Sequence, residues 1–488
     1  MKRLEELVRN INITSVIGKL NIPILAISFD SRNVNPGTLF VAIQGTVNDG
    51  HKYIADVAQN GASAIVCEII PESIRMDITY IITSDTCFAL GMICAEFYNN
   101  PSRALKLVGV TGTNGKTTIA TLLYELFRKL GYKAGLISTV ANCIDGQKND
   151  AKLTTPDPVE LNSLMAQMVQ SGCEYCFMEV SSHAVVQQRI AGLHFAGGVF
   201  TNLTHDHLDY HKTFAEYRDA KKMYFDNLSE EAFALVNKDD RNGMVMVQNT
   251  KADVKTYAMK SMADFHCRVL ESDFAGMQLQ IDGKEAWMQL IGEFNAYNLL
   301  AVYAVAILLN QKQEETLTAM STLTAVDGRF EVIRSDNNVT AIVDYAHTPD
   351  ALENVLNAIR ELIFASGSGQ IITVVGCGGD RDKTKRPQMA KIAAEGSSRV
   401  VLTSDNPRSE EPEAIINDML AGLDAKQRRN TITITDRREA IRTACMMAAS
   451  GDIVLVAGKG HETYQIVKGV KSHFDDREVI SGELKVEN

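Results

Sequence analysis

Short apolar runs closed by glycine, hydroxyl or acidic residues punctuate this chain, and stretches with apolar positions every three or four residues lie between them. The most complete instance spans residues 105–130. Leu105-Lys-Leu-Val-Gly-Val110 reads as a strand, Thr111-Gly-Thr-Asn-Gly-Lys-Thr-Thr118 as a turn, and Ile119, Leu122, Leu123, Leu126, Phe127 and Leu130 as one face of a helix. A turn at that place gathers the unpaired N–H groups and the positive dipole end of the helix around one point. Gly112 and Gly115 let main chain approach an anion, with Thr113 and Asn114 between them; Lys116 adds a charge for terminal phosphates, and the hydroxyl of Thr117, ahead of Thr118, is placed for Mg²⁺. A strict phosphate loop would carry glycine at position 110, where Val110 stands. The loop is therefore a variant cradle, expected to bind ATP rather than to act as a GTPase-type switch.

Upstream, Thr38–Ile43 and Ala62–Cys67 read as strands, Asp85–Tyr98 as a helix and Asn99–Ser102 as a linker, which makes the first hundred residues a small α/β unit. It carries two polar clusters, Asp30-Ser31-Arg32 and Gln44–His51. Downstream, Thr154-Thr-Pro-Asp-Pro158 is a stiff turn bearing two hydroxyls. Tyr175–Val180 reads as a buried strand with Glu179 near its C-terminal end, where parallel sheets bind ligands. A carboxylate there, beside a phosphate cradle, is a natural magnesium partner. Ser181–Arg189 adds hydroxyl, amide and guanidinium donors suited to a phosphorylated or acidic substrate. Strand Gly198–Asn202 runs into a loop with His205, His207 and His211; with no thiolate among them and a phosphate site alongside, magnesium and substrate positioning fit this loop better than zinc. Thr213-Phe-Ala-Glu216 is a capping-box start that places Lys221 about two turns into a helix. Gly292–Asn298 leads into a helix predicted over Leu299–Leu309, and Asp327–Glu331 reads as a hinge whose Arg329 reaches a bound nucleotide when domains close.

In the last third, strands at Thr340–Asp344, Ile371–Gly376, Val400–Thr403 and Ile453–Ala457 alternate with helical patterns, a second doubly wound unit. Gly376-x-Gly378 begins a dinucleotide fingerprint, but Arg381 stands at its third glycine and excludes NAD or FAD. The strand ends carry Asp344 and His347, then Arg381, then Asp405, Asn406 and Arg408, then Glu462. Guanidinium groups for carboxylates and acidic groups for ammonium suit a zwitterionic ligand.

A chain of 488 residues is too long for one core and divides into three domains, 1–103, 104–330 and 331–488. With 45% hydrophobic and 22% charged residues it is an ordinary globular composition, and the net charge of −11 argues against nonspecific nucleic-acid or anionic-membrane binding. No window approaches the ~20 apolar residues of a membrane span, and the charged N-terminus MKRLEELVRNI lacks a signal core. Nine scattered cysteines, with Cys173 and Cys176 the only C-x-x-C, fit a reducing compartment and a cytoplasmic address.

Together these motifs resemble the Mur ligases over the whole chain: the loop 111–118, Met178-Glu-Val-Ser-Ser-His-Ala184, His207-Leu-Asp-Tyr-His211, Gly292-x-Phe-Asn-x-Tyr-Asn298, Gly328-Arg-Phe330 and Asp344-Tyr-Ala-His-Thr-Pro349. The resemblance implies an N-terminal UDP-binding α/β domain, a central ATPase-like domain with a mainly parallel sheet, and a C-terminal Rossmann-like domain. It implies an ATP-dependent ligase that joins meso-2,6-diaminopimelate to UDP-MurNAc-L-Ala-D-Glu through an acyl phosphate, with Mg²⁺ as cofactor and the protein a monomer. By the same resemblance Lys116, Glu179, His207 and Lys221 are catalytic; Asn295, Arg329 and Asp344 approach the nucleotide; and Ser31, Thr154, Thr155, Ser181, Gln187 and Arg189 hold the sugar-peptide. Lys221 matches a lysine carbamylated by CO₂, which joins Thr117 and Glu179 as a metal ligand; Lys222 is out of register for it. Asp405-Asn406-Pro407-Arg408, with Arg381, Gly458 and Glu462, matches the positions that bind meso-diaminopimelate, an arginine that lysine-adding relatives lack. Folylpolyglutamate synthetase shares the loop but gives no reason for that cluster, and a nucleotide-hydrolysing switch would be indifferent to amino acid and UDP-sugar.

Overall fold

The structure is a computed structural model that describes residues 2–45, 48–204, 206, 208–367 and 369–484. Among these, the strands form three principal sheets in chain order, of five, eleven and six strands. The first is a mostly parallel sheet in the order Ile13–Ile17, Thr79–Thr83, Ala64–Cys67, Thr38–Val41, Ala26–Ser28. The second has a parallel centre: Ala134–Ile137, Tyr175–Glu179, Lys106–Thr111, Gly197–Phe200, Phe233–Asn237 and Asp253–Ala258. The third runs Glu331–Arg334, Thr340–Asp344, Ile453–Ala457, Ile371–Val375, Arg399–Leu402, Thr431–Thr433, and is parallel but for its first strand. Three domains of mixed α/β architecture result, as the motifs predict.

Period-two burial explains why each sheet is covered on both faces. In the central sheet Tyr175 and Phe177 enter one hydrophobic core while Cys176 and Met178 enter the other. Leu39 and Val41 oppose Phe40 and Ala42 in the first sheet, and Val400 and Leu402 oppose Val401 in the third. Strands with two buried faces are apolar throughout, which is why the sequence shows them as runs rather than alternations. All nine cysteines are free thiols, most of them in these cores. Among the described residues no helix is long and apolar enough to cross a membrane.

One expectation needs correction. The helix predicted over Leu299–Leu309 spans Glu293–Leu308. Its first turns hold two asparagines, which usually favour turns, but both amides are bonded locally: Asn295 Nδ2 to Ile291 O at 2.8 Å, and Asn298 Nδ2 to Asn295 Oδ1 at 3.0 Å. The central sheet also extends beyond its parallel part through antiparallel strands at Asn142–Ile144, Gln147–Asn149, Gly276–Ile281 and Lys284–Met288. Gln147-Lys-Asn149 is exposed and has no apolar residue, so nothing in its pattern marks it as a strand.

One ion pair anchors the third sheet. Arg437 and Asp476 have fully buried side chains 2.7 Å apart, and Arg437 also donates to Ala457 O at 3.2 Å, at the end of the central strand. Asp476→Ala leaves that guanidinium buried without its counter-ion, a loss of about 3–5 kcal/mol. The expected outcome is an earlier urea-unfolding transition for the C-terminal sheet, followed by circular dichroism and limited proteolysis.

Candidate active site

Strand Lys106–Thr111 lies between Tyr175–Glu179 and Gly197–Phe200, and the register sets Glu179 beside Val110 and Phe200 beside Thr111. Three carboxyl ends therefore meet where the loop turns into helix Lys116–Lys129. Gly112 lies against the neighbouring strand end so closely that a Cβ would fall 1.9 Å from Thr201 Oγ1. Thr201 Oγ1 in turn donates to Asn114 O at 2.6 Å, Thr113 N–H donates to Asn202 O at 2.8 Å, and Asn114 N–H donates to Asn202 Oδ1 at 3.0 Å. The cradle is thus shaped by the next strand.

Two lysines share one carbonyl of this loop. Lys116 Nζ donates to Gly112 O at 2.9 Å and to Thr113 O at 2.7 Å; Lys221 Nζ donates to the same Gly112 O at 2.8 Å. Thr213 Oγ1 caps the helix Phe214–Asp226 by accepting from Glu216 N–H, which sets Lys221 two turns in and 1% exposed. Burial, and then the charge of Lys116, push the Lys221 ammonium well below its ordinary range, against the pull of Asp206. Burial also lowers Lys116, opposed by Glu179 and Asp206. Lys222 turns away and pairs with Asp226 at 2.6 Å. Burial thus favours the neutral amine at Lys221.

Glu179 is 1% exposed and accepts from Thr139 N–H at 2.7 Å. Thr139 Oγ1 donates to Thr154 Oγ1 at 3.0 Å, Thr155 Oγ1 donates to Glu179 O at 2.8 Å, and Ser181 N–H donates to Thr155 Oγ1 at 3.1 Å. Arg189 donates to Thr155 O at 2.8 Å and forks onto Gln187 Oε1, whose amide donates to Tyr210 Oη at 3.3 Å. Thr154, Thr155, Ser181, Gln187 and Arg189 thus form one connected wall. The Glu179 carboxylate and Thr117 hydroxyl both face the cleft, hard oxygen donors that fit a Mg²⁺ carried by phosphate oxygens.

The cleft has a volume of about 980 Å³ and brings together residues from the loop (Thr113–Thr118), the wall (Thr154, Thr155, Glu179, Ser181, Arg189), Lys221, Asn295, Arg329, Asp344 and Arg381. Arg329 donates to Thr117 Oγ1 at 3.1 Å and stacks on Tyr345 at 4.4 Å. Asp344 accepts from Phe330 N–H and Ala346 N–H, both at 2.7 Å, and fixes the hinge; burial raises its pKa against the pull of Arg329. Ser31 is not part of this lining: it sits in the turn Ser31–Asn33 beyond the carboxyl end of strand Ala26–Ser28. In the other cluster His51 bonds Asp49 at 2.8 Å and accepts from Glu68 N–H at 2.9 Å, a closed turn. His205 and His207 lie outside the described residues; His211 Nε2 lies 2.8 Å from Ser182 Oγ.

The remaining candidates occupy the carboxyl edge of the third sheet, where the register aligns Asp344 with Ala457, and Ala457 with Val375. Asn406 Nδ2 donates to Glu462 Oε2 at 2.7 Å. Gly458 lets main chain pass Asp405, where a Cβ would fall 2.9 Å from Oδ2. Arg408 donates to Gly379 O at 2.8 Å, and Pro407 packs its carbonyl on Gly379. These residues stand apart from the cleft lining, and Tyr345 bridges the gap, with its ring 5.2 Å from that of His461, next to Glu462. Sequence reasoning missed three participants: Thr139, Lys459 and Asp350, whose carboxylate accepts from Asn114 Nδ2 at 2.7 Å. Lys459 alone had a legible signal, a lysine between two glycines just past a strand.

These features define a phosphate-loop protein of three α/β sheets whose nucleotide cleft is closed by the last. The chain matches the Mur ligase family models for the catalytic domain over residues 23–98, the middle domain over 110–306 and the glutamate ligase domain over 328–460. It is 59% identical over 477 residues to the UDP-N-acetylmuramoyl-L-alanyl-D-glutamate--2,6-diaminopimelate ligase of Bacteroides thetaiotaomicron, and 57% identical over 478 residues to that of Phocaeicola vulgatus, with 98% of each chain covered in both cases. A solved structure of a ligase with the same name superposes with a TM-score of 0.69 at 32% identity, over 99% of each chain. The chain belongs to the Mur ligase family.

The 1.9 Å approach at Gly112 gives a direct test. Gly112→Ala must displace the loop from Thr201, and affinity for a fluorescent ATP analogue is expected to fall about tenfold or more, with the thermal transition little changed.

Proposed function

We propose that this protein joins meso-2,6-diaminopimelate to UDP-N-acetylmuramoyl-L-alanyl-D-glutamate in an ATP-dependent, amide-forming step of peptidoglycan synthesis. The observation that carries the reading is the pairing of two sites: a phosphate loop with Lys116 and Lys221 on one carbonyl, and an acid–guanidinium cluster at the adjoining sheet edge. The full-length relatives bearing that name support it.

In this reading residues 1–103 hold the UDP-sugar, with Ser31 contributing; 104–330 hold ATP; and 331–488 hold the amino acid. Asn295, Arg329 and Asp344 surround the nucleotide, and Lys116 swings from the Gly112 and Thr113 carbonyls to the terminal phosphates. Thr117, Glu179 and Lys221, as its carbamate, would hold Mg²⁺, which when bound offsets the charge of the triphosphate. His207 assists in positioning there. The wall of Thr154, Thr155, Ser181, Gln187 and Arg189 orients the dipeptide so that the terminal D-glutamate carboxylate attacks the γ-phosphorus and ADP leaves. The amine of diaminopimelate, held by Arg381, Asp405–Arg408, Gly458 and Glu462, then attacks the acyl carbon, loses a proton and expels phosphate. Closure over the cleft keeps water from the acyl phosphate. The protein works as a monomer in the cytoplasm, a setting that suits its nine free thiols.

Phosphate release with ATP, Mg²⁺ and the UDP-dipeptide is expected to depend on meso-diaminopimelate and not on L-lysine, and Lys116→Ala is expected to abolish it. Release indifferent to the acceptor would sink the reading. Arg408→Ala is expected to raise the KM for meso-diaminopimelate by about tenfold to a hundredfold, as loss of a charge-assisted fork requires. With ¹³CO₂ the wild-type protein should give a carbamate carbon resonance that Lys221→Met lacks.

A further inference from the structure

Lys459 lies in Gly458-Lys459-Gly460, just past the strand Ile453–Ala457, and its side chain is 0% exposed. A lysine so enclosed acts only through what it touches. Its Nζ is 3.1 Å from Glu462 Oε2, 3.4 Å from Asn406 Oδ1 and 3.8 Å from Asp405 Oδ1, and lies over the Tyr464 ring at 5.5 Å. Glu462 Oε2 thus takes bonds from Lys459 and from Asn406 Nδ2, while Oε1 carries none among the described residues. Asn406 is itself fixed, since its Oδ1 accepts from Ile466 N–H at 2.9 Å.

Charge defines the cluster. Asp405 and Glu462 are two carboxylates in one largely buried site, where a negative charge needs a cation close by. Lys459 supplies one. The Arg437 guanidinium, which also feels Asp405 and Glu462, is committed to Asp476. Two carboxylates and one ammonium leave a net charge of −1, which one further ammonium neutralises.

We propose that Lys459 is the positioning residue of the amino-acid subsite: it bridges Asp405 and Glu462, commits Glu462 Oε2 to the protein, and leaves Oε1 as the acceptor for an ammonium group of the diamino acid. The proposal rests on the reading of Glu462 as a ligand of that substrate. Lys459 selects for a cationic amino group without touching it.

The test uses the full-length protein with ATP, Mg²⁺ and UDP-dipeptide at saturation. Lys459→Met is expected to raise the KM for meso-diaminopimelate by about tenfold or more, with kcat within about threefold and the KM values for ATP and UDP-dipeptide unchanged. Burial and Asp405 already push the Glu462 carboxyl up, with Tyr345 and Tyr464 also facing it, and Lys459 opposes that rise; without Lys459 it rises further. The variant's KM should therefore fall as the pH is raised, because the acceptor regains its charge, and should do so more steeply than the wild-type KM. Glu462→Gln should raise the same KM, and adding Lys459→Met to it should change nothing more. An unchanged KM, additive effects in the double variant, or an equal rise in the KM for ATP would overturn the proposal. Loss of fold in Lys459→Met, read by circular dichroism, would do so as well, by making the lysine a core ion pair. The reading beneath it is judged on the wild type alone: inactivity with meso-diaminopimelate removes both, whereas normal wild-type turnover with an indifferent Lys459→Met removes only this one.

Discussion

Two lysines from different elements meet at the carbonyl of Gly112, one curled back from the start of its own helix and one buried a hundred residues later in the chain. Ammonium groups that close repel each other, and burial takes from them the water that would screen the repulsion. The site has two ways to relieve the conflict: an anion in the cradle, or a neutral amine at Lys221. The parallel sheet makes the conflict possible, because only neighbouring carboxyl ends at one level bring Gly112, Glu179 and Thr201 to the same point. The Thr213 cap sets the helical phase that aims Lys221 at that carbonyl. A loop shaped only to bind phosphate would need one of these lysines. The second puts a buried amine, held towards its neutral form, at the same place.

From the loop a chain of contacts runs into the last domain. Thr117 meets Arg329, Arg329 lies on Tyr345, Tyr345 packs on His461, and Glu462 follows His461. Asp344 holds both sides of the hinge through two main-chain N–H groups, so the orientation of Arg329 and the position of Tyr345 are set together. Desolvation keeps His461 and His347 neutral, their pKa values pulled down to about 3 and about 4, so neither adds charge to a junction already occupied by Arg329. Nucleotide end and amino-acid end are therefore joined by packed, largely buried groups.

The amino-acid end is built differently. Its side chains come from the turns after three strands, and hydrogen bonds among those turns hold them: Arg386, fully buried, pairs with Glu410 at 2.8 Å, and Glu410 accepts from Asp380 N–H at 2.7 Å. Asp380 in turn accepts from Ser409 Oγ. This lattice holds the segment of Arg381 against that of Arg408, while buried Lys459 stands between the carboxylates of Asp405 and Glu462.

By itself the sequence determined the principal strands, the three-domain α/β architecture and which candidate residues stand just past strand ends, for one reason: each is encoded locally. Apolar runs report burial on both faces, glycines report tight turns, and functional side chains cluster just after strands because parallel sheets expose their carboxyl ends. It failed where the residue pattern does not show the deciding contact. The helix expected from Leu299 begins at Glu293, with its asparagine amides bonded within it, and Gln147–Asn149 becomes a strand only because Asn142–Ile144 lies beside it. Nothing in the order of residues said that Lys221 would share a carbonyl with Lys116, that Asp350 would reach Asn114, or that Lys459 would stand between Asp405 and Glu462. Those facts were decided by tertiary structure alone. Burial and charge pairing depend on which side chains are brought within a few ångströms of each other, and chain order carries no such distance.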